Sequence, residues 1–478
     1  MRIPYFLIPT ILVSLNLPAF AAPPRTVEEQ AAWEANFDIK NIRHLGNIAI
    51  TVKSDAFLAV PPDYSDWHDF TVAKTAPVVE FSIVQNLEPE YLPWALAKEA
   101  GGNWGGWGDV TRGPDGCFYF SISNHLSYGA GTYVIRYDPV TRRQEIALDA
   151  RDLCDWRPDQ FADGKIHGDI DFGPGGETWM LTYFGPVPKP EDWATTYRGG
   201  WLLRYNCFTG EKENLGIPLE GASWPYHNYD WQHGLFFAVD HSGGNVLAYD
   251  TVERRLLYGG APPDGIKWYA RCVLVDSPTG AVYTTDTASP DKQIVRYTRR
   301  NNTFARMNAR TPVNPATGNH GSLRAHTSVR DSEQAYWCLD HWGGMFRFFP
   351  DADSTVWVDH NWSPDGTYTA NIEMSPGGRY IYYIPGQLSE IPKGTPVVQY
   401  DTKTGNRKVL AFIFDHFMDE YGYAPIRCYG LELDAKGESL FFYANGGFAD
   451  PADENPYAIR MRRAALFHLH IPDSEREE

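Results

Sequence analysis

From Trp107 onward, short runs of β-branched and aromatic residues alternate with polar ones and break at Gly, Pro and Asp. Alternation over a few residues is the signature of a half-buried strand, and the breaks are turn formers. The clearest unit is WGDVTRGPDGCFYFSIS…TYVIRYDPVTRR, residues 107–143. It reads as a strand, a tight turn, an aromatic strand, a loop, and a strand ending in an aromatic–Asp pair. Further copies begin HGDIDFGPGGETWMLTY, PYHNYDWQHGLFFAVD, RCVLVDSPTGAVYTTD, RAHTSVRDSEQAYWCLD, TANIEMSPGGRYIYYIPG and CYGLELDAKGESLFFYANG. Their third strands end near Tyr137, Tyr205, Tyr249, Tyr297, Phe348, Tyr400 and His468, at separations of 44 to 68 residues.

A multi-stranded repeat of that length is a propeller blade, because one twisted sheet cannot bury both faces without neighbours around an axis. The pattern predicts an all-β chain with a seven-bladed β-propeller over residues 106–471 and an N-terminal extension over 22–105. In the extension, TVEEQAAWEANFDI carries a capping box at Thr26 and Glu29 and predicts a short helix. GNIAITVK and APVVEFSIVQ predict strands, one of them completing the last blade to close the ring. Residues 472–478 read as a solvated acidic tail.

The leader MRIPYFLIPTILVSLNLPAFAAPP changes the picture. A basic start, an apolar run and Ala19-Phe20-Ala21 predict a secretory signal over residues 1–21. No other run approaches about 18 apolar residues, so a secreted or periplasmic, soluble monomer is expected. Lys and Arg number 42 against 60 Asp and Glu, a net charge of −18. That balance argues against nucleic acid and anionic membranes as partners. It leaves an anionic substrate open, because a few arginines in a cleft outweigh a distant field. The six cysteines show no C-x-x-C pair, which excludes a zinc ribbon and favours buried thiols over disulfides.

Blades meet at the axis through their first strands, so residues entering those strands line the channel mouth. Counting nine back from each turn glycine gives Trp107, His167, Arg271, Thr369 and Cys428. The two weaker turns place Pro225-Tyr226-His227 and Arg324-Ala325-His326 at the same level. Residues two further on, Asp109, Asp169 and Asn371, share that face. Polar residues at strand entrances also simply cap backbone groups, and each of these alone has that bland alternative. His125 and Tyr183, in loops after second strands, face either the mouth or the surface. Tyr229 and Tyr269 rival Tyr226, while His233, His241 and His341 read as structural. Trp104, Trp107, Trp224 and Trp268 offer an aromatic platform.

No G-x-S-x-G, phosphate loop or H-E-x-x-H is present. Histidine and tyrosine beside two arginines suit proton abstraction next to a carboxylate: arginine pairs the carboxylate and stabilises the developing enolate. That is the chemistry of β-elimination on a uronate. The export signal, the seven units and GKIH leading into IDFGPGG resemble the propeller-type polysaccharide lyases, especially ulvan lyases of polysaccharide lyase families 24 and 25. The resemblance implies a lyase on a uronate-containing anionic polysaccharide. It implies His167 and Tyr226 as acid and base with His125 as a second histidine, and Arg271 or Arg324 as the neutralising residue. His227, Tyr183, Tyr269, Trp107 and Asn371 complete the expected substrate contacts. No cofactor is needed for the chemistry, though members hold structural calcium or zinc. The alternatives are a glycan- or protein-binding propeller without catalysis, and another propeller enzyme, a hydrolase or a streptogramin-type lyase.

Overall fold

The computed structural model describes residues 49–64, 69–84, 104–124, 131–154, 163–184, 197–242, 244–362, 366–386, 395–448 and 463–476. The expected signal, the helix over 26–39 and His125 lie outside these residues. Seven antiparallel sheets follow one another along the chain, each adding strands outward from the axis in sequence order. The first contains Trp104–Arg112, Phe118–Asn124, Thr132–Asp138 and Arg143–Asp149. The inner strands of the next six are Lys165–Ile166, Tyr226–Asp230, Leu274–Asp276, Leu323–His326, Glu373–Met374 and Tyr423–Leu433. The chain is a seven-bladed β-propeller.

The turn glycines explain why the repeat is legible. Gly116, Gly176, Gly280, Gly378 and Gly437 all have φ between 69° and 84°, the left-handed region that a side chain disfavours. In the fifth blade Gln334 takes this conformation at φ 66°, which is why that copy looks degraded.

Both N-terminal strands join the last blade. Val78–Ile83 pairs antiparallel with the final strand Arg463–His470, and Ile50–Lys53 pairs outside it. The last blade is therefore woven from both ends of the chain. Phe81 locks the seam: it is fully buried, with ring centroids 4.5 Å from Phe417, 5.1 Å from Phe467 and 5.7 Å from Tyr423. Phe417 lies on the helix Phe414–Tyr421, which ends at Gly422 with φ 63°. A second N-terminal piece, Thr71–Val72, adds parallel to the outer strand of the sixth blade.

Adjacent blades share aromatic cores. Between the last and first blades, Phe118 stacks on Phe441 at 4.1 Å and Phe120 on Tyr443 at 5.7 Å. All six cysteines are free thiols, and all but Cys207 are buried. The expected acidic tail is not free: Glu475 is 2% exposed, pairs with Lys408 Nζ at 2.7 Å and accepts from the Lys74 amide. Among the described residues no helix is long and apolar enough to cross a membrane.

Phe81→Ala should cost about 3–5 kcal/mol, the usual range for deleting a buried aromatic ring. Urea unfolding would show a lower midpoint, and an unchanged midpoint would mean that the seam does not hold the ring closed.

Candidate active site at the channel mouth

The entrances of the inner strands bring polar side chains from several blades together. On the second blade Lys165 and His167 sit two apart and are both buried, at 3% and 4% exposure. Arg271, entering the fourth blade, approaches His167 with Nη1 3.1 Å from Nε2. A guanidinium only donates, so His167 accepts through Nε2 and is neutral. Burial, then the charges of Arg271, Lys165 and Arg324, hold its pKa well below the ordinary histidine value. Lys165 is likewise pushed well down by burial and Arg271. Its Nζ lies 4.9 Å from the ring centres of both Trp107 and Tyr183. Arg324 is 2% exposed, donates to the carbonyls of Arg271 and Ala370, and binds the Tyr368 hydroxyl.

Two tyrosine–histidine pairs flank these cations. The Tyr183 hydroxyl is 2.8 Å from His241 Nδ1, and the Tyr269 hydroxyl is 2.8 Å from His341 Nδ1. Tyr183 also meets His167 edge-on at 5.9 Å. Burial pushes Tyr183 up to about 12, against the opposing charge and hydrogen bond of Arg271. His341 is lowered to about 4 by burial, Arg324 and Arg271. Among the described residues, none of Lys165, Arg271 and Arg324 has a carboxylate within 4.0 Å. Two guanidinium groups thus stand beside neutral histidines and the buried Lys165 without a counter-ion, an arrangement that calls for an anion from outside.

Deeper in the channel the sign reverses. A cavity of about 700 Å³ opens toward the opposite face, lined by Asp109, Asp169, Asp171, Glu373 and Glu432 among others. Burial raises all five carboxyls, and all but Asp171 are raised further by neighbouring carboxylates. Asp109 reaches about 7 and Asp171 about 6. Despite their number, these acids do not bring three ligand atoms close enough to bracket one ion. Among the described residues the one such trio is Glu80, His468 and His470 on the last blade.

The expected site residues divide between the two regions. His167, Arg271, Arg324, Tyr183, Tyr269 and Trp107 gather at the mouth. Tyr226 instead bonds Asp169, and burial and that carboxylate raise it well above the ordinary tyrosine value. Asn371 donates to Asp109 and to the Leu431 carbonyl, also on the acidic side. His227 is not at the mouth at all. It is fully buried against Phe236, and a Cβ on Gly168 would come within 2.5 Å of it, so it is interior packing. Burial alone takes it to about 3. Thr369 and Cys428 are buried too, and their chain neighbours Tyr368 and Tyr429 face Arg324 and Trp107.

Four mouth residues were not expected there: Lys165, His241, His341 and Tyr368. His241 and His341 carry a readable signal, since both sit in an Asp-His-x-Gly-Gly phrase after the second strand of their blades, VDHSGG and LDHWGG. Each Asp turns the chain by accepting backbone amides: Asp240 from Gly244 and Asp340 from Trp342 and Gly344.

The raised acids carry a sign. A carboxyl whose folded pKa exceeds its unfolded value near 4 binds more protons when folded, so its contribution to stability is lost as pH rises through about 4 to 7. Asp171→Asn should therefore stabilise the protein by roughly 1–2 kcal/mol more at pH 8 than at pH 5. Urea midpoints for both proteins at both pH values check this, and an equal effect would mean that Asp171 is ionised throughout. No protein-family model and no curated protein matches this chain.

Proposed function

We propose that this chain is an exported polysaccharide lyase that cleaves a uronate-containing anionic polysaccharide, ulvan-like in its chemistry, by β-elimination. The observation that carries the reading is the pair Arg271 and Arg324, half-buried and buried without a carboxylate partner, beside the neutral His167 and the buried Lys165. A uronate carboxylate supplies the missing charge. Paired with Arg271, it draws the guanidinium from His167 and frees Nε2 to take the proton at C5. Electron density moves into the carboxylate, where the arginines stabilise the enolate-like charge. The C4–O4 bond then breaks, leaving a C4–C5 double bond, and the departing oxygen takes a proton from the Tyr183 hydroxyl. Arg271 stabilises the resulting tyrosinate, and its hydrogen bond to His241 holds it in place. Tyr183, not Tyr226, is given the tyrosine role, because Tyr226 faces an acid that opposes its ionisation. No cofactor takes part in these steps.

Wild-type protein should release unsaturated uronate products, read by ultraviolet absorbance, from at least one of ulvan, glycosaminoglycan, pectate or alginate. His167→Ala and Tyr183→Phe should each lower kcat by about 10²-fold or more, the usual contribution of a positioned acid or base, while Tyr226→Phe retains most activity. Because the His167 pKa is depressed, kcat/KM should hold as pH falls through the ordinary histidine range near 6.5. Absence of unsaturated product across the panel overturns the lyase. A product heavier by one water would indicate a hydrolase, and saturable binding without turnover a glycan-binding propeller.

A further inference from the structure

The seam between the two ends of the chain holds a cluster that the mouth chemistry does not use. Glu80, on the N-terminal strand, pairs across the sheet with His468 on the final strand, and His470 lies two residues further on the same face. Their ligand atoms all lie within 4.8 Å of one another. His468 Nδ1 is 3.2 Å from Glu80 Oε2, and His470 Nε2 is 3.7 Å from Oε1. Ligands on a tetrahedral zinc are about 3.3 Å apart, given metal–ligand distances near 2.0–2.2 Å. The imidazole rings are 4.4 Å apart and already face the same carboxylate.

Proton accounting sharpens the case. Ser439 Oγ donates its one proton to the Asp434 carboxylate at 2.6 Å. It must therefore accept from His468 Nε2–H at 3.0 Å. That leaves His468 Nδ1 aimed at Glu80, whose Oε2 already accepts from the Tyr137 hydroxyl at 2.8 Å. Nδ1 of His468 and Nε2 of His470 thus both face the Glu80 carboxyl group, with one ligand atom of each residue within reach of a single cation. The Asp434–Ser439–His468 chain also orients the ring as outer-shell partners orient metal-bound histidines. His468 is held among Phe118, Phe441 and Tyr137, with little water on its inner side. His470 is 41% exposed and opens the cluster to solvent.

We propose that Glu80, His468 and His470 form a binding site for a zinc-class divalent cation that clasps the N-terminal strand Val78–Ile83 to the last strand of the propeller. Two imidazoles and one carboxylate favour zinc and its borderline neighbours over calcium or magnesium, which prefer all-oxygen shells. Water reaching past His470 takes the fourth position. The cation ties strands that are far apart in sequence. Because it binds only the closed ring, it stabilises the folded chain by mass action.

The test uses untagged full-length protein, stripped with chelator and titrated calorimetrically with zinc chloride and with calcium chloride. One zinc should bind per chain and calcium should not, and zinc at about a hundredfold excess over Kd should raise Tm by roughly 2–5 °C. His470→Ala, at an exposed position, should keep the metal-free Tm yet weaken zinc binding by on the order of 100-fold and abolish the Tm rise. Ser439→Ala leaves all three donors in place and should weaken binding by about 10-fold through loss of orientation. No saturable zinc binding in the wild type, or binding of equal affinity in His470→Ala, overturns the proposal.

Discussion

Ring closure is the constraint on which everything else depends. A propeller places its inner strands around one axis only if the last sheet meets the first, and here that sheet is completed by Val78–Ile83 against Arg463–His470. The blades on either side of the junction are bound by more than packing. Asn445 clamps Gly106 through both its backbone NH and its carbonyl, at 2.8 and 2.7 Å, and the Tyr443 hydroxyl binds the Gly108 carbonyl. Gly106 cannot carry a side chain there, because a Cβ would sit 2.1 Å from the Tyr443 ring. The seam thus fixes the positions of Trp107 and Asp109, which belong to opposite halves of the channel.

Those halves are electrically distinct, and the distinction follows from where each inner strand begins and ends. The mouth ends of the inner segments contribute Lys165, His167, Arg271 and Arg324, whereas Asp109, Asp169, Asp171, Glu373 and Glu432 lie further along them. Guanidinium charges concentrated at one end of a low-dielectric channel make a field that draws an anion to the mouth. The net charge of −18 is no obstacle to an anionic ligand, since local charges a few ångströms away dominate over a screened distant surface.

Much of the fold was legible because its turns need glycine in a left-handed conformation, and glycine at that offset from an aromatic strand recurs along the chain. The level of the mouth was legible for the same reason: counting back from those glycines reaches Trp107, His167 and Arg271. The count fails where the inner strand is irregular. The register shift between Cys428 and Gly430 inserts a residue that no fixed offset anticipates. In the last blade the shift buries Cys428 and presents Tyr429. In the third blade strict alternation sends His227 inward while Tyr226 takes the channel side. Hydrogen bonds between blades, such as Tyr183 to His241 or Tyr269 to His341, join residues 58 and 72 positions apart and have no local signature.

One relation ties the seam to the mouth. A cation held by Glu80, His468 and His470 would act on the strand pair that closes the ring, at the face opposite the mouth, where the first-to-second strand turn at Asp434 leads into Ser439. The inner strand leading into that turn, Tyr423–Leu433, carries Tyr429 against Trp107 at the other end. Fastening one end of this sheet restrains the strand that sets the first blade against the last. The convergence of side chains from separate blades is only as sharp as that alignment. Errors of about 1 Å in the placement of an acid or base cost on the order of 10²-fold in rate, so a device that stiffens the seam bears on the chemistry without touching it.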